Sequence, residues 1–528
     1  MKLLTKLIIV SAPVVAIIGV AIYTFSDATN GKDTDPGQVR IGKALKQAIA
    51  VLDALPPVAP LVARVETVQT SLPFEEFIAQ SARVRQGDIS QIRRDFPSVL
   101  QRFESAAASE ADVLRIFSAA VGPHQKALPA LDKWVAEEPN SYAALMARGT
   151  VLHKLGWHQR GGEYIPYTPK ENLQEMTRLH ILAADDFVSA LSKTRYPIMA
   201  VAELIGIAMA NGWKEESKKL FLAGERLYPA SDSLFESYAP ILYTEWGTGS
   251  VPAAQAFLRR AEENGVSLEA RSHMARHLQR IEKYGHRAVP DGEWLARAVS
   301  FSEQHNTVSA WSERASVEKG QGRFEDALES LRRVAARTPN SVDVMTDIAE
   351  VLQNLNRPDD FKLAMRRAAD LGSDWAQGEI IYDMIWQRKG EKRDWDKIRV
   401  ECEASAEMLN RSGQNCVGGL YSDGLAGYPK DDSKAIVYFA LAARQGHYQA
   451  QHDYGWMLIN GMSVKADREK GLFYMRNSAR QQFQPALNKL QQLGERTDNL
   501  EWKLTPLEDA RRKFDRLRDR GAAWLGRY

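Results

Sequence analysis

Two cysteines are the residues whose spacing best supports a chemical bond in this chain. Cys402 and Cys416 are the only cysteines among 528 residues. The helical pattern puts them on successive helices at similar distances from the intervening turn, so their side chains could meet. We weigh a structural disulfide against two buried free thiols, and outside the cytoplasm the disulfide is favoured. Neither cysteine has a basic or histidine neighbour in sequence, which disfavours a catalytic thiol.

Two further patterns each lack a group that their chemistry requires. His273 and His277 would share one helix face, as zinc ligands can, but no glutamate follows His273 and only His286 is available as a third ligand. Residues 37–44 match the phosphate-binding loop motif except at the last position, where Ala44 has no hydroxyl for Mg²⁺. In addition, no strand precedes Gly37, as that loop requires. We therefore predict surface histidines, no metal and no cofactor.

A third pattern is the Glu236-Ser237 dipeptide within Phe235-Glu236-Ser237-Tyr238. It resembles the dipeptide at which lytic transglycosylases place their catalytic acid, and that resemblance would imply cleavage of peptidoglycan. The Gly-Leu-Met-Gln motif of those enzymes is absent, as are Gly-x-Ser-x-Gly and Cys-x-x-Cys. We interpret Glu236 as a solvated helix residue and predict that the protein is not an enzyme.

The composition excludes several classes of protein. The chain has 69 Lys and Arg against 67 Asp and Glu, so its net charge of +2 provides no basic field for nucleic acid. A content of 44% hydrophobic and 26% charged residues excludes global disorder, and two cysteines exclude a disulfide-dense scaffold. We predict a protein or peptide partner and no nucleic acid.

The N-terminal segment carries a membrane signal. Residues 7–25 contain no charge, and a helix of this length approaches the roughly 30 Å thickness of the hydrocarbon core. Lys2 and Lys6 precede the run, which predicts a cytoplasmic N-terminus and an extracytoplasmic remainder. A cleaved secretory signal ending near Ser26-Asp27-Ala28 is the alternative. The predicted location is the inner membrane with the bulk of the chain in the periplasm, or the periplasm itself after cleavage.

Downstream, helical periodicity and turn residues predict an array of helical hairpins. Four positions recur at an offset of 34 residues: Trp311, Ala315, Ala327 and Leu331 are matched by Met345, Ala349, Phe361 and Met365. Small residues let two antiparallel helices approach while large ones fill the space around them. With Pro339 ending the second helix, this pattern resembles the tetratricopeptide repeat, although Glu318 occupies its tyrosine position.

A second motif recurs with longer offsets of 37, 37 and 36 residues. Its copies are Ala368-Ala369, Gly372 and Ala376; Ser405-Ala406, Leu409 and Gly413; Ala442-Ala443, Gly446 and Ala450; and Ser478-Ala479, Gln482 and Ala486. The small pair permits close helix packing, and the Gly position ends a helix where a positive φ is needed. The motif resembles the SEL-like repeat, whose best copy spans 434–467 and includes Gly455 and Gly461.

These patterns predict an all-α protein in which a membrane helix precedes an α-solenoid of tetratricopeptide-like and SEL-like hairpins. The predicted divisions are a membrane or signal segment at 1–25, a tether at 26–37, a helical region at 38–119, degenerate hairpins at 120–300, tetratricopeptide-like repeats at 301–367, SEL-like repeats at 368–493 and a capping helix at 494–528. Residues 148–169 also resemble an uncharacterised bacterial family of helical domains.

The resemblance to helical repeats implies a scaffold for protein–protein interaction in the bacterial cell envelope. The alternative is a factor that binds or processes envelope glycans, which the 12 Trp, 17 Tyr and 17 Phe and the Glu236-Ser237 dipeptide would suit.

Overall fold

The computed structural model describes residues 35–56, 73–105, 110, 113, 122–163, 165–242, 250–285, 291–385, 393–498 and 500. Regular structure in these ranges is entirely helical, which confirms the predicted all-α helical-repeat class. The predicted membrane segment at 7–25 and the apolar face of the predicted capping helix lie outside the described residues. Of the helices that are described, none has the length and apolarity needed to cross a membrane.

The described residues divide into two compact units. The first unit comprises 35–158 and 173–344, and the second comprises 159–172 and 345–500. The described α-helices up to residue 354 are α1 (Pro36–Ala54), α2 (Phe74–Arg85), α3 (Ser90–Glu104), α4 (Leu128–Glu137), α5 (Tyr142–Arg160), α6 (Lys170–Ala190), α7 (Ile198–Ala210), α8 (Lys214–Leu227), α9 (Asp232–Tyr238), α10 (Val251–Glu263), α11 (Leu268–Gly285), α12 (Asp291–His305), α13 (Val308–Gly320), α14 (Phe324–Arg337) and α15 (Val342–Asn354). Of these, α5, α6 and α15 have residues in both units.

The start of α1 differs from the predicted tether. The Asp35 side chain accepts hydrogen bonds from the Gly37 and Gln38 amides, and Pro36 occupies the first helical turn, so the helix begins before residue 38. A Cβ on Gly42 would lie 2.6 Å from the Trp213 ring. The glycines at 37 and 42 therefore belong to a packed helix, where they form no phosphate-binding loop.

The second unit is an array of short hairpins built from α16 (Pro358–Asp370), α17 (Asp374–Ile385), α18 (Trp395–Glu407), α19 (Arg411–Asp423), α20 (Asp432–Arg444), α21 (Tyr448–Asn460), α22 (Arg468–Arg480) and α23 (Gln484–Gln492). Neighbouring helices pack in sequence order. An Asp-x-x-Lys sequence starts α18, α20 and α22. In each, the aspartate side chain accepts a hydrogen bond from the lysine amide three residues on, a standard N-cap, as at Asp431 and Lys434 (3.0 Å).

The turns of the SEL-like motif have the backbone that the sequence predicts. Gly372 and Gly446 have φ values of 100° and 82°, and the residues that replace glycine at the same register, Leu409 and Gln482, have φ values of 60° and 64°. Positive φ is confirmed at all four positions. The chain thus keeps the turn even where a side chain makes it costly.

Each unit has its own apolar core. In the first unit, buried residues from α1 to α11 form one large cluster that includes Trp134, Phe187 and Phe235. In the second unit, three smaller clusters follow each other along the hairpins, centred near Val417, Phe439 and Met475. Serial small cores are what a repeat array produces, because each hairpin packs mainly on its neighbours.

Candidate functional site

A groove of about 670 Å³ runs along the second unit. Its walls come chiefly from α17, α19 and α21, the first helices of three successive hairpins. Six aromatic side chains line it: Trp375 and Tyr382 from α17, Trp395 from α18, Phe439 from α20, and Tyr448 and Trp456 from α21. Both tyrosines are 43% exposed, so part of this aromatic surface is open to a ligand.

The groove has an excess of negative charge. Its acidic lining residues are Asp374, Glu379, Asp423 and Asp453, and the basic one is Arg411. The imidazole of His447 also lines the groove, but burial, helped by the nearby Arg411, lowers its pKa to about 3 and leaves it neutral at pH 7. The groove therefore suits a ligand that carries positive charge.

Two polar atoms beside these charges remain unpartnered. Trp375 Nε1 and Asn415 Oδ1 are shielded from solvent and make no hydrogen bond in the structure. Asp374 is held in place, since its carboxylate accepts a hydrogen bond from Asn410 Nδ2 at 2.6 Å. One donor on α17 and one acceptor on α19, both from residues that line the groove, are thus left without a hydrogen bond.

The two cysteines lie next to this groove and are joined. Cys402 of α18 and Cys416 of α19 form a disulfide with a Cα–Cα distance of 5.8 Å. Cys402 is fully buried, and both residues belong to the apolar cluster around Val417. The bond ties the second helix of one hairpin to the first helix of the next, as the register predicts. Its formation in the cell stays a prediction.

A buried glutamine occupies the same position in three successive SEL-like repeats. Gln377, Gln414 and Gln451 follow the small residue of the motif at intervals of 37 residues, and each is at most 2% exposed. Gln377 Nε2 donates to Ala369 O at 2.7 Å. Gln451 Nε2 makes the equivalent bond to Ala443 O at 3.3 Å and also donates to the carboxylate of Glu163 at 2.8 Å. The interval of 37 residues is visible in the sequence, where each of these glutamines directly follows the small residue of the motif.

The small residues of the best repeat lie at close helix contacts. Ala442, Ala443 and Ala450 are at most 1% exposed. A Cβ on Gly455 would lie 2.8 Å from Gly471 O, so α21 and α22 approach through two glycines. Gly461 ends α21 with a φ of 67°. These positions serve packing and the turn, as the resemblance implies.

The tetratricopeptide-like hairpin shows how the chain replaces a missing aromatic residue. Trp311, Ala315 and Ala327 are buried in α13 and α14, and α14 ends two residues before Pro339. Glu318, at the tyrosine position, is fully buried. Its carboxylate accepts hydrogen bonds from Arg314 Nε (2.8 Å) and Ser330 Oγ (2.7 Å). A satisfied ion pair thus fills the position.

His273 of the histidine pair and Glu236 of the Glu-Ser dipeptide lie next to each other in the first unit. His273 Nδ1 lies 3.0 Å from Glu236 Oε1, and both side chains are about one third exposed. Glu236 is therefore paired with His273, while its side chain stays partly exposed to solvent, as predicted for a surface helix residue. The His277 side chain and His286 lie outside the described residues. Within those that are described, no group of three or more His, Cys, Asp or Glu could hold a metal ion.

A second polar cluster is buried in the segment that resembles the bacterial helical family. His153 Nδ1 lies 2.5 Å from Glu203 Oε2, while its Nε2 accepts from Trp157 Nε1 at 3.1 Å. Both ring nitrogens are occupied, so His153 has no lone pair for a metal. His180 packs edge-on against this ring, and burial, with the neighbouring His153, lowers its pKa well below the usual value. His180 Nδ1 lies 3.1 Å from Asn211 Nδ2, whereas its Nε2 is buried without a hydrogen-bond partner.

Comparison with known families identifies the repeats. The Sel1 repeat family matches residues 412–447 and 449–483, which contain α19 to α22. Sel1 repeats are thus confirmed between 412 and 483, within the predicted range of 368–493, and the chain is a helical-repeat protein that contains them. A search of curated proteins finds no significant match.

Several solved structures align with the chain. A Sel1 repeat protein from Oxalobacter formigenes is 16% identical, with 55% of this chain and 87% of that chain covered and a TM-score of 0.37. The protective antigen c5321 of uropathogenic Escherichia coli, which has an SLR fold, is 16% identical, with 86% and 94% covered and a TM-score of 0.34. A human IFIT1 dimer with PPP-AAAA is 10% identical, with 84% and 100% covered and a TM-score of 0.28.

Proposed function

We propose that this protein is a membrane-tethered scaffold of the cell envelope and that its Sel1 repeats bind a segment of a partner protein. The observation that carries the proposal is the groove along α17, α19 and α21, where aromatic surface and carboxylates stand side by side. Repeat arrays that bury their cores between hairpins leave such extended surfaces for recognition. The fold agrees with a role in protein–protein interaction.

The lining specifies the chemistry of the partner segment. Aromatic faces such as Trp375 and Tyr382 attract cations and apolar side chains, and Asp423 and Asp453 add attraction for positive charge. We expect a segment in which lysine or arginine alternates with aromatic or apolar residues.

The extracytoplasmic location is supported by two observations. The uncharged run at 7–25 follows basic residues and precedes acidic ones. The disulfide between Cys402 and Cys416 is a bond that persists in oxidising compartments such as the periplasm and is rare in the cytosol. Both agree with a chain whose repeats face the envelope.

Peptide binding by the detergent-solubilised full chain tests this function. Labelled peptides that combine lysine or arginine with phenylalanine or leucine should bind, and peptides with glutamate at the basic positions should not. The double variant Asp423→Asn and Asp453→Asn should weaken binding about tenfold and flatten its dependence on salt. Asp396→Asn is the matched control, since the Asp396 side chain is 86% exposed on α18 and does not line the groove.

Two results would count against this function. If basic and acidic peptides bind equally, or if Asp396→Asn weakens peptide binding as much as the double variant does, the groove is not the binding site. Sedimentation with purified peptidoglycan, together with release of soluble muropeptides that Glu236→Gln abolishes, would instead support the glycan alternative. We expect no such release from either protein.

A further inference from the structure

A short segment from the N-terminal half of the chain is part of the second unit. We call residues 159–172 the strap; they join the end of α5 to the start of α6 through a 3₁₀ turn at Ile165–Tyr167. Asn172 Nδ2 donates to Arg160 O at 3.2 Å, and both residues are 3% exposed. The two ends of the strap are therefore tied together.

The strap backbone lies directly against the end of α20. Gly161 has a φ of 85°, and a Cβ at this position would lie 2.0 Å from Arg444 O. A Cβ on Gly162 would lie 3.4 Å from Gln445 O. Only glycine at 161 allows both this backbone conformation and this approach.

Beyond these glycines, the strap inserts a carboxyl group into the repeats. Glu163 is 8% exposed, and its Oε1 accepts hydrogen bonds from Gln451 Nε2 (2.8 Å) and Gln481 Nε2 (3.4 Å). Gln481 Nε2 also donates to Gln451 Oε1 at 2.9 Å, which fixes the orientation of that amide. A Cβ on Gly446 would come within 2.9 Å of Glu163 Oε1, so glycine leaves room for the carboxyl group.

The remainder of the strap is anchored on α22. Asn477 Nδ2 donates to Tyr167 O at 3.0 Å, and the Arg480 guanidinium lies 4.7 Å from the centre of the Tyr167 ring. Near its end, Glu171 forms an ion pair with Lys470 at 3.3 Å. These contacts keep the segment ordered around its buried glutamate.

The charges near Glu163 come from three elements. Arg160 of the strap, Arg411 of α19 and Arg480 of α22 all favour the ionised carboxylate. Burial opposes them and dominates, so the pKa of Glu163 rises to about 7. His447, which precedes α21 beside the same turn, stays neutral at this pH because burial and Arg411 depress its pKa.

We propose that Gly446, Gln451 and Gln481 form a carboxyl-binding site on the Sel1 repeats. Its ligand is the glutamate of the chain's own strap, and the charge state of that carboxyl group sets how firmly the strap is docked. The same turn residues, Gly446 and Gln481, also line the peptide groove, so the site adjoins the groove. The proposal does not depend on whether the groove binds peptides.

The sign of the effect follows from the pKa. The docked carboxyl has a pKa of about 7, above the ordinary value of 4.5, so docking favours the protonated form. The contribution of Glu163 to docking is complete below pH 4.5 and is lost as the pH rises through about 7. A shift of this size corresponds to at most about a 100-fold weaker docking at pH 8 than at pH 4.5.

Hydrogen exchange of the full chain at pH 5 and pH 8, corrected for intrinsic exchange, tests the proposal. Strap amides should lose protection by tens of fold at pH 8 in the wild type. Glu163→Gln, whose neutral amide imitates the protonated acid, should remain protected at both values. Glu171→Gln, the same change at the strap's outer ion pair, should follow the wild type. Amides of α13 and α14 report any change in the fold itself.

Each outcome decides the matter. Strap protection that does not vary with pH in the wild type would overturn the proposal, and this result needs no variant to fold. An unchanged pH dependence in a folded Glu163→Gln protein would also overturn it. Gln481→Ala should increase exchange in the strap while the helices of the repeats stay protected, and the absence of that increase would exclude the glutamines as the site.

Discussion

Single backbone angles account for the repeat boundaries of the second unit. At four equivalent turns the chain adopts a positive φ, and two of the four positions carry a side chain, Leu409 and Gln482. A residue with a Cβ costs about 1 kcal/mol or more in this region of backbone space relative to glycine. The repeats therefore contain strain that a single substitution can remove.

The exposed Gln482 provides the clearest test of that strain. Gln482→Gly should stabilise the second unit by about 0.5 kcal/mol, because the gain at positive φ exceeds the entropy that glycine adds to the unfolded chain. Chemical unfolding of the full chain, followed by hydrogen exchange within α22 and α23, would measure the change. Gln482→Ala keeps a Cβ and should give no comparable gain; equal stabilisation by both variants would contradict the backbone argument.

The disulfide makes a second prediction for individual residues. It closes a loop with a sequence separation of 14, so replacing both Cys402 and Cys416 by alanine should cost about 2 to 3 kcal/mol of stability in the second unit. A reductant should destabilise the wild type by a similar amount and leave the double variant unchanged. Non-reducing mass spectrometry of protein from its native compartment would refute the bond if it found two alkylatable thiols.

Secondary-structure elements stabilise each other through small residues at their crossings. In the best repeat, Ala443 on α20 is 1% exposed, while Val437 on the same helix is 56% exposed. Because each hairpin rests on its neighbours, damage at one crossing should spread along the array and leave distant helices intact.

A large residue at the buried position of α20 should show this locality. Ala443→Trp should overpack the contact, cost about 1 to 3 kcal/mol and weaken peptide capture by distorting the groove. Val437→Trp adds the same side chain on the exposed face and should cost little. Exchange mapped by mass spectrometry should rise in α19 to α22 and stay constant in α7 and α8; a uniform rise throughout the chain would contradict a serial array.

At the scale of the whole molecule, the membrane topology has a direct test. If residues 7–25 span the inner membrane with the N-terminus inside, an alkaline phosphatase reporter fused after Tyr528 should be active in intact cells. A reporter that works only in the cytoplasm should stay inactive at the same position. The reverse pattern would exclude the proposed envelope location. Any ligand of the groove, and the pH that acts on the strap, would then be those of the cytoplasm.

The sequence by itself determined what depends on short-range periodicity. The all-α class, the SEL-like register, the positive φ at Leu409 and the proximity of the two cysteines all follow from residues that recur at fixed local spacing. The structure decided the arrangements that join distant residues. Glu163 is 288 residues from Gln451, and no local pattern says that it will be buried there. Docking of this kind depends on complementary shape, desolvation and paired hydrogen bonds, which exist only once the helices are packed.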